Sequence, residues 1–526
     1  MSSIFNKVEL ARCPRSRQPF HELKKLTGEM GLIYPVFNKL MMPADVFKVS
    51  LASIIKFENL RAPLFGDVYV DFFAFATPLR VLDDKDLDIP EDFEKIADVE
   101  DDTFAVPHWL PASLTECDKY TLWDYFGFGI KQTAGAVWIV GSMTAVPSQI
   151  HNTPMSYPLR AYNKVWNEYF RDEQLQNEIV WSDKQTGYNY MPLRANWNKD
   201  YFNTARENQQ LGNPVPLPFG TLTGQFPVGY DGGTSTPFEF HQLAVKYDTS
   251  HTPQTYWDYP IAMIPPPSTM PVYANAYNTP ISSNATIDDW RVSMATQRFL
   301  ERANITGTRY TEYLQSNFNV IPQDSRLQRP EFCGRLKLPV ITEEILQTSE
   351  TSGNSPQGNR TANAQAGCSN KFFTYHAKEW TVLQILMCVR PKSNYMADGI
   401  PHEWLLSERY DFPHPLFSKL GQEAIYKTEL YNDGVDATAD TIFGYTGCLD
   451  WLRVSRNNAV ADFRDESYAS WTFDRSVDST VALNSDFITC NPRKTAFANQ
   501  EAPAFAAFVD VRVKAYRPIP RQGVIV

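Results

Sequence analysis

Strand-period segments lie near both ends of this chain, with hundreds of residues between them, and that placement constrains the fold more than any other feature. In Val46–Leu51, Phe47, Val49 and Leu51 alternate with Lys48 and Ser50. Further on, Val68, Val70, Phe72 and Ala74 alternate with Asp67, Tyr69, Asp71, Phe73 and Phe75. A period of two is the signature of a β-strand, and bulk on both faces of the second segment predicts a strand covered on both sides. Trp380–Val389 is a nearly continuous apolar run stopped by Arg390-Pro391, as expected of a buried sandwich strand. Near the other end, Val509, Val511, Val513 and Ala515 alternate with Asp510, Arg512, Lys514 and Tyr516. No stretch between these strands reads as a linker between separate domains. The expectation is one mainly β domain, an antiparallel double-sheet barrel whose intervening residues leave and re-enter as long loop insertions with a few helices.

Composition permits this. The 526 residues are 43% hydrophobic and 21% charged, enough apolar content for a packed core. The 37 prolines favour turns and loops over long helices. No apolar run approaches the ~20 residues of a membrane span, and the N-terminus lacks the apolar core of a signal peptide. Seven scattered cysteines without a C-x-x-C pair predict no disulfide framework and suit a reducing cytoplasm.

The helical signal is strongest at Arg160–Gln176, RAYNKVWNEYFRDEQLQ, where Tyr162, Val165, Trp166, Tyr169 and Phe170 share one stripe. That stripe is expected to pack in a core or a subunit interface. Arg160, Asn163, Lys164, Asn167, Glu168 and Arg171 fall on the other side. Shorter helices are expected around Thr115–Phe126 and from a capping-box-like start at Thr286-Ile287-Asp288-Asp289 toward Arg302. Leu211–Pro280 holds twelve prolines and reads, with the residues up to 285, as an insertion. Ser349–Asn370 is polar and reads as a mobile loop. Residues 1–41 read as a basic arm ahead of a single domain over 42–526.

No constellation of catalytic residues is visible. His402-Glu403-Trp404-Leu405-Leu406 starts like H-E-x-x-H but lacks the second histidine, and neither a G-x-S-x-G elbow nor a phosphate-binding G-x-x-x-x-G-K-[ST] loop is present. Asp84, Asp86 and Asp88 are spaced like the start of a calcium-binding EF-hand loop, but Ile89 replaces the turn glycine and Lys95 the closing glutamate. A calcium site of another kind, a solvated acidic loop and an electrostatic contact with a basic partner stay open there, and no cofactor is expected. The net charge of −11 is polarised. Asp83–Asp102 carries eleven acids against two lysines, whereas residues 1–25 carry six cations against two acids. Arg12, Arg15, Arg17, Lys24 and Lys25 are therefore candidate phosphate contacts, since such contacts need only cations within reach.

Several blocks in order resemble one family. Asn167-Glu168-Tyr169-Phe170-Arg171-Asp172 followed by Asp200-Tyr201-Phe202, Met42–Leu82, YTLWDYFGFG at Tyr120–Gly129, GTRYTEYLQSNFNVIPQDSRLQRPEF at Gly307–Phe332 and FVDVRVKAYRPIP at Phe508–Pro520 are similar to the major capsid protein of the microviruses, small tailless single-stranded DNA phages, and best to their gokushovirus-like branch. The resemblance covers about half the chain. It implies an eight-stranded viral jelly roll and no enzymatic activity. It also implies copies assembling in the bacterial cytoplasm into a small icosahedral, T=1-type virion shell around circular single-stranded DNA. Partners implied with it are a small basic DNA-associated protein, scaffold and pilot or minor virion proteins, and a host surface receptor met by the 211–285 insertion, without membrane insertion. Two other readings remain at this level: a glycan-binding β-sandwich module that does not assemble, and a β-sandwich hydrolase.

Overall fold

The computed structural model describes residues 15–83, 93–97, 106–109, 114–129, 154–180, 190–213, 215, 287–346, 360–396, 399–418, 420–432, 434 and 441–520. Arg12, the Asp84/Asp86/Asp88 triplet and nearly all of 211–285 lie outside these residues. The chain forms two compact units, Met1–Gly212 with Leu300–Val526, and Asn213–Phe299. The first holds the barrel.

The barrel is two antiparallel sheets. Its strands are β1 Ser16–Gly28, β2 Ile33–Met41, β3 Val46–Phe57, β4 Val68–Pro78, β5 Glu331–Pro339, β6 Ile341–Leu346, β7 Arg360–His376, β8 Thr381–Pro391 and, at the far end of the chain, β13 Phe505–Arg517. One sheet runs β1-β13-β3-β7-β6 and the other β2-β8-β4-β5. Successive strands β1 to β4 alternate between the sheets, and so do β5, β7, β8 and β13 apart from the added edge strand β6. Among the described residues this is jelly-roll topology, the eight expected strands with β6 added at one edge. Short strands β9 Tyr395–Met396, β10 Gln422–Tyr426, β11 Ile442–Gly447 and β12 Arg475–Ser476 lie in the long connection between β8 and β13. Helices α1 Leu122–Phe126, α2 Tyr157–Val165, α3 Ile287–Thr306 and α4 Tyr310–Phe318 lie in the connection between β4 and β5.

The apolar alternation decides which face turns inward. Phe47, Val49, Leu51, Val70, Phe72, Ala74, Leu383, Ile385, Met387, Val389, Val509, Val511 and Val513 form the buried interior between the sheets. Burying each large one contributes ~1.5–3 kcal/mol. At the turn from β1 to β2, Gly31 has φ +82°, and a Cβ there would lie 2.2 Å from the Cys490 carbonyl oxygen. Both the conformation and the space require glycine.

Three expectations need correction. Residues 16–41 are not an arm but two barrel strands. The alternation of β1 is hidden because most of its inward positions (Ser16, Gln18, Glu22, Lys24) are polar, and long backbone pairing from Ser16↔Arg517 to Gly28↔Phe505 holds it in place. Residues 360–370 are not a loop but the first part of β7. Its inward residues are Ala362, Ala364 and Ala366, all buried; alanine is weakly β-forming, so the strand left no propensity signal. The region expected to be helical around Thr115–Phe126 is a 3-10 turn at Leu114–Cys117 followed by the short α1. Thr121 caps α1 by accepting from the Asp124 N–H, and Gly127 ends it with φ 85°.

Candidate functional site

The two sheets differ in how their outer faces are treated. The outer face of β2-β8-β4-β5 is sheathed. Ile33, Phe73, Phe75, Leu386 and Cys388 pack there against Leu159, Tyr162, Val165 and Trp166 of α2 and the π-helical turn Trp166–Phe170 that extends it. Tyr162 donates its hydroxyl to the Ile33 carbonyl (2.9 Å) and accepts from the Leu193 N–H (2.9 Å). Trp166 Nε1 donates to the Arg194 carbonyl (2.9 Å). Phe170 meets Phe73 edge-on at 5.3 Å, and Tyr169 lies 4.8 Å from Phe75. The five stripe residues thus sit against the subunit's own sheet. The helical stretch is shorter than expected: it ends at Phe170, and 171–176 form turns. Half of the other side of the helix is covered as well, while Lys164, Glu168 and Arg171 stay partly exposed. Arg160, Asn163 and Asn167 are buried, because the connection folds back over them. Asn167 exchanges two hydrogen bonds with Ile179, and Arg160 donates to the Leu82 carbonyl.

Three of the sequence blocks behind the family resemblance, 167–172, 200–202 and 307–332, lie together near the end of this helix. Arg309 pairs with Glu173 at 2.8 Å and donates to the carbonyls of Asn167 and Arg171. Asp324 pairs with Arg329 at 2.7 Å, and the Arg329 guanidinium lies 5.3 Å from the Tyr169 ring centre. Tyr169 donates to the Pro330 carbonyl. Asp200 caps the turn at Phe202 and Asn203 and accepts from the Tyr395 hydroxyl. Beneath them, on the sheet itself, the buried Asp71 carboxylate binds Arg335 (2.7 Å) and Arg390 (2.9 Å). These hydrogen bonds and ion pairs tie the long connection to the sheet beneath it.

The outer face of β1-β13-β3-β7 is bare among the described residues. Strand register sets its rows. His21 lies opposite Arg512, Arg512 opposite Ser50, and Ser50 opposite Lys371. The next row is Pro19, Lys514, Lys48 and Thr374, and the next begins Arg17, Tyr516. Toward the other end come Lys25, Phe508 and Ile54, then Thr27, Ala506 and Lys56. The four strands display seven cations, namely Arg17, Lys25, Lys48, Lys56, Lys371, Arg512 and Lys514, against one acid, Asp510, itself 2.7 Å from Arg512. Glu343, on the edge strand β6, is opposite Asn363 on the same face.

Of the basic residues proposed from sequence, Arg15, Arg17 and Lys25 are exposed. Lys24 points inward instead and donates to the Pro35 carbonyl (2.8 Å) and the Tyr125 carbonyl. Burial pushes its pKa down to about 8. It holds β1 to β2 and α1 and is no phosphate contact. Lys48, Lys56, Lys371, Arg512 and Lys514 were missed. Alternation already opposed Lys48, Arg512 and Lys514 to the apolar residues of their strands, but only the register between strands distant in sequence sets them side by side.

The lone H-E-x-x of the sequence resolves into a different device. His402 Nδ1 lies 3.0 Å from Glu429 and Nε2 3.1 Å from Glu423, under Trp451 at 5.1 Å. No described group of histidine, cysteine, aspartate and glutamate has metal-binding geometry. Burial alone would lower the imidazole pKa, but the hydrogen bonds and charges of Glu423 and Glu429 outweigh it and raise it to about 9. Arg456, bound to the Glu429 carbonyl, and the Tyr201 hydroxyl also face this cluster. A raised pKa stabilises the fold fully below the ordinary ~6.5 and loses that contribution as pH rises through ~9. The urea midpoint of the unassembled protein is therefore expected to fall between pH 7 and 9.5 by more than that of His402→Gln; equal falls would remove His402 as the cause.

The family model described as "Capsid protein (F protein)" matches residues 6–525. Three proteins named "Capsid protein VP1" are similar over most of their length. That of Chlamydia phage 1 is 26% identical, covering 99% of this chain and 97% of its own. That of Bdellovibrio phage phiMH2K is 27% identical, covering 89% and 86%. That of Spiroplasma virus 4 is 26% identical, covering 90% and 87%.

Proposed function

Because the chain belongs to the phage capsid-protein (F protein) family, we propose that its copies close into a small icosahedral shell of the T=1 type around circular single-stranded DNA. The protein is a structural subunit of the virion and not an enzyme. One observation supports assembly most directly. Between β9 and β10, within 17 residues, Trp404 (74% exposed), Tyr410, Phe412, Leu416 (79% exposed) and Leu420 all turn their side chains to solvent. A solitary soluble protein rarely leaves so much large apolar surface in one place. A second copy of the chain is the occupant that a shell supplies, and obligate interfaces of this kind bury ~2,000–5,000 Å².

The test is direct. Expressed with the other virion proteins, wild type is expected to sediment as closed particles. Trp404→Ser with Leu416→Ser is expected to leave a folded subunit that forms none, since truncating an interface anchor typically costs ~2 kcal/mol or more and each shell repeats the loss many times. Normal particles from the double variant would remove this segment from the interface.

The remaining partners follow from the same reading. The subunit assembles in the host cytoplasm with a scaffold protein, takes in a small basic DNA-associated protein and pilot or minor proteins, and meets a host receptor through the 211–285 insertion. Joining the ends of that insertion should leave shells that form but adsorb poorly. Among the described residues, no geometry favours the glycan-binding module or hydrolase readings.

A further inference from the structure

We infer that the bare face of the β1-β13-β3-β7 sheet is the track that holds the packaged single strand, resting on the reading of this protein as a DNA-enclosing shell subunit. On this assignment the bare sheet faces the genome, and the sheet covered by α2 does not.

Three observations point the same way. The first is charge. Seven cations against one paired acid on four strands is an excess found nowhere in the average of the chain, whose net charge is −11. A basic protein partner is repelled by such a surface, and an anion is attracted.

The second is the arrangement of the cations. Lys514 and Lys48 are directly opposed across β13 and β3. Like charges in that position destabilise a sheet, and the Tyr516 ring 5.6 Å from the Lys48 ammonium offsets this only in part. A polyanion laid over the rows turns the repulsion into attraction. Arg512 and Lys371 flank the same strands one row away, about 7 Å along, so the positive charge forms a stripe and not a spot.

The third is the shape at one end. A cleft of about 690 Å³ opens where the face meets the turn before α1. Lys25, Lys56 and Lys119 line it, with the inward-turned Lys24 and one carboxylate, Asp124, at its α1 side, and with the half-exposed ring of Tyr120 and the ring of Phe508. Leu23 and Ile54 continue the apolar strip along the sheet, each more than half exposed. Cations that follow a backbone, combined with aromatic faces on which bases stack, suit a single strand bound without regard to sequence. A duplex, whose bases are already stacked, has no use for the strip.

The experiment uses the full-length unassembled protein and a fluorescein-labelled thirty-nucleotide oligo-dT, titrated at several salt concentrations. Each cation engaged with a single strand adds ~0.7 to the slope of log K against log salt. Lys48→Gln/Lys371→Gln/Lys514→Gln is expected to lower the magnitude of that slope by about 2 and to melt no lower than wild type. A control triple, Lys392→Gln/Arg409→Gln/Arg453→Gln, removes three exposed cations of the β8–β13 connection and should leave the slope unchanged. Tyr120→Ala is expected to weaken binding about five- to a hundred-fold, the loss of one stacked base, with the slope unaltered. In co-expressed particles, the lysine triple should still form shells but retain less DNA per shell.

An unchanged slope in the lysine triple, or an equal loss in the control, overturns the assignment. So does a triple that binds DNA normally but no longer assembles, which makes this face a contact between copies, for instance for the acidic 83–102 segment of a neighbour. If wild type itself forms no particles, the shell reading fails, and the titration still decides the face on its own.

Discussion

Replacing Asp71 by alanine is expected to destabilise the unassembled subunit by ~3–5 kcal/mol, the cost of breaking a buried ion pair from one side. Asp71 is 1% exposed on the central strand β4 and is the carboxylate between Arg335 of β5 and Arg390 of β8. Arg335 reaches solvent and can rehydrate, but Arg390 is buried and would be left with the neutral Asn196 carbonyl in place of a carboxylate. The pair itself is not the source of the stability; the orphaned charge is the source of the loss. Asp71→Leu combined with Arg390→Met should therefore recover much of the deficit. Urea midpoints with unchanged slopes would check both. A loss below ~1 kcal/mol for Asp71→Ala would show that water reaches Arg390 after all.

Trp166→Ala is expected to cost a similar ~3–5 kcal/mol, the range for a large aromatic removed from a core. The indole is 8% exposed and packs in the layer over β4 and β8. Its N–H also satisfies the Arg194 carbonyl, part of the segment that bonds back to Gly31 and Ile33. Trp166→Phe keeps most of the packing and loses the hydrogen bond, so its cost should be smaller, ~1–3 kcal/mol. If the layer over this sheet were instead an interface between subunits, Trp166→Ala would leave the free subunit as stable as wild type and fail only in assembly. Chemical unfolding of the unassembled protein separates the two.

The strands legible in the sequence were those whose inward residues are large and apolar. For β3, β4, β8 and β13 the period of two, or the unbroken apolar run, is written in Val, Phe, Leu and Ile. Bulk on both faces of β4 announced a covering layer, and the α2 stripe supplied it. Strands β1 and β7 were misread because most of their inward positions are polar or alanine, and β2, although Ile33, Tyr34, Val36, Phe37 and Met41 are apolar and buried, because a register shift between Pro35 and Phe37 breaks its alternation. The stability of β1 and β7 comes from pairing with β13 and β3, far away in the chain, and no local pattern reports that. Likewise, Lys24 and Lys25 are neighbours in sequence, yet one is clamped under the barrel and the other lies on its surface, because successive residues of a strand point to opposite faces.

The sequence alone determined the class of architecture and the family, since hydrophobic period and ordered motifs are properties of local stretches of chain. Only the tertiary structure decided which cations share a face, which carboxylates hold His402, and which sheet is covered. Those are juxtapositions of residues tens to hundreds of positions apart, set by strand register and by the folding back of long connections, and they carry no trace in the neighbourhood of any one residue.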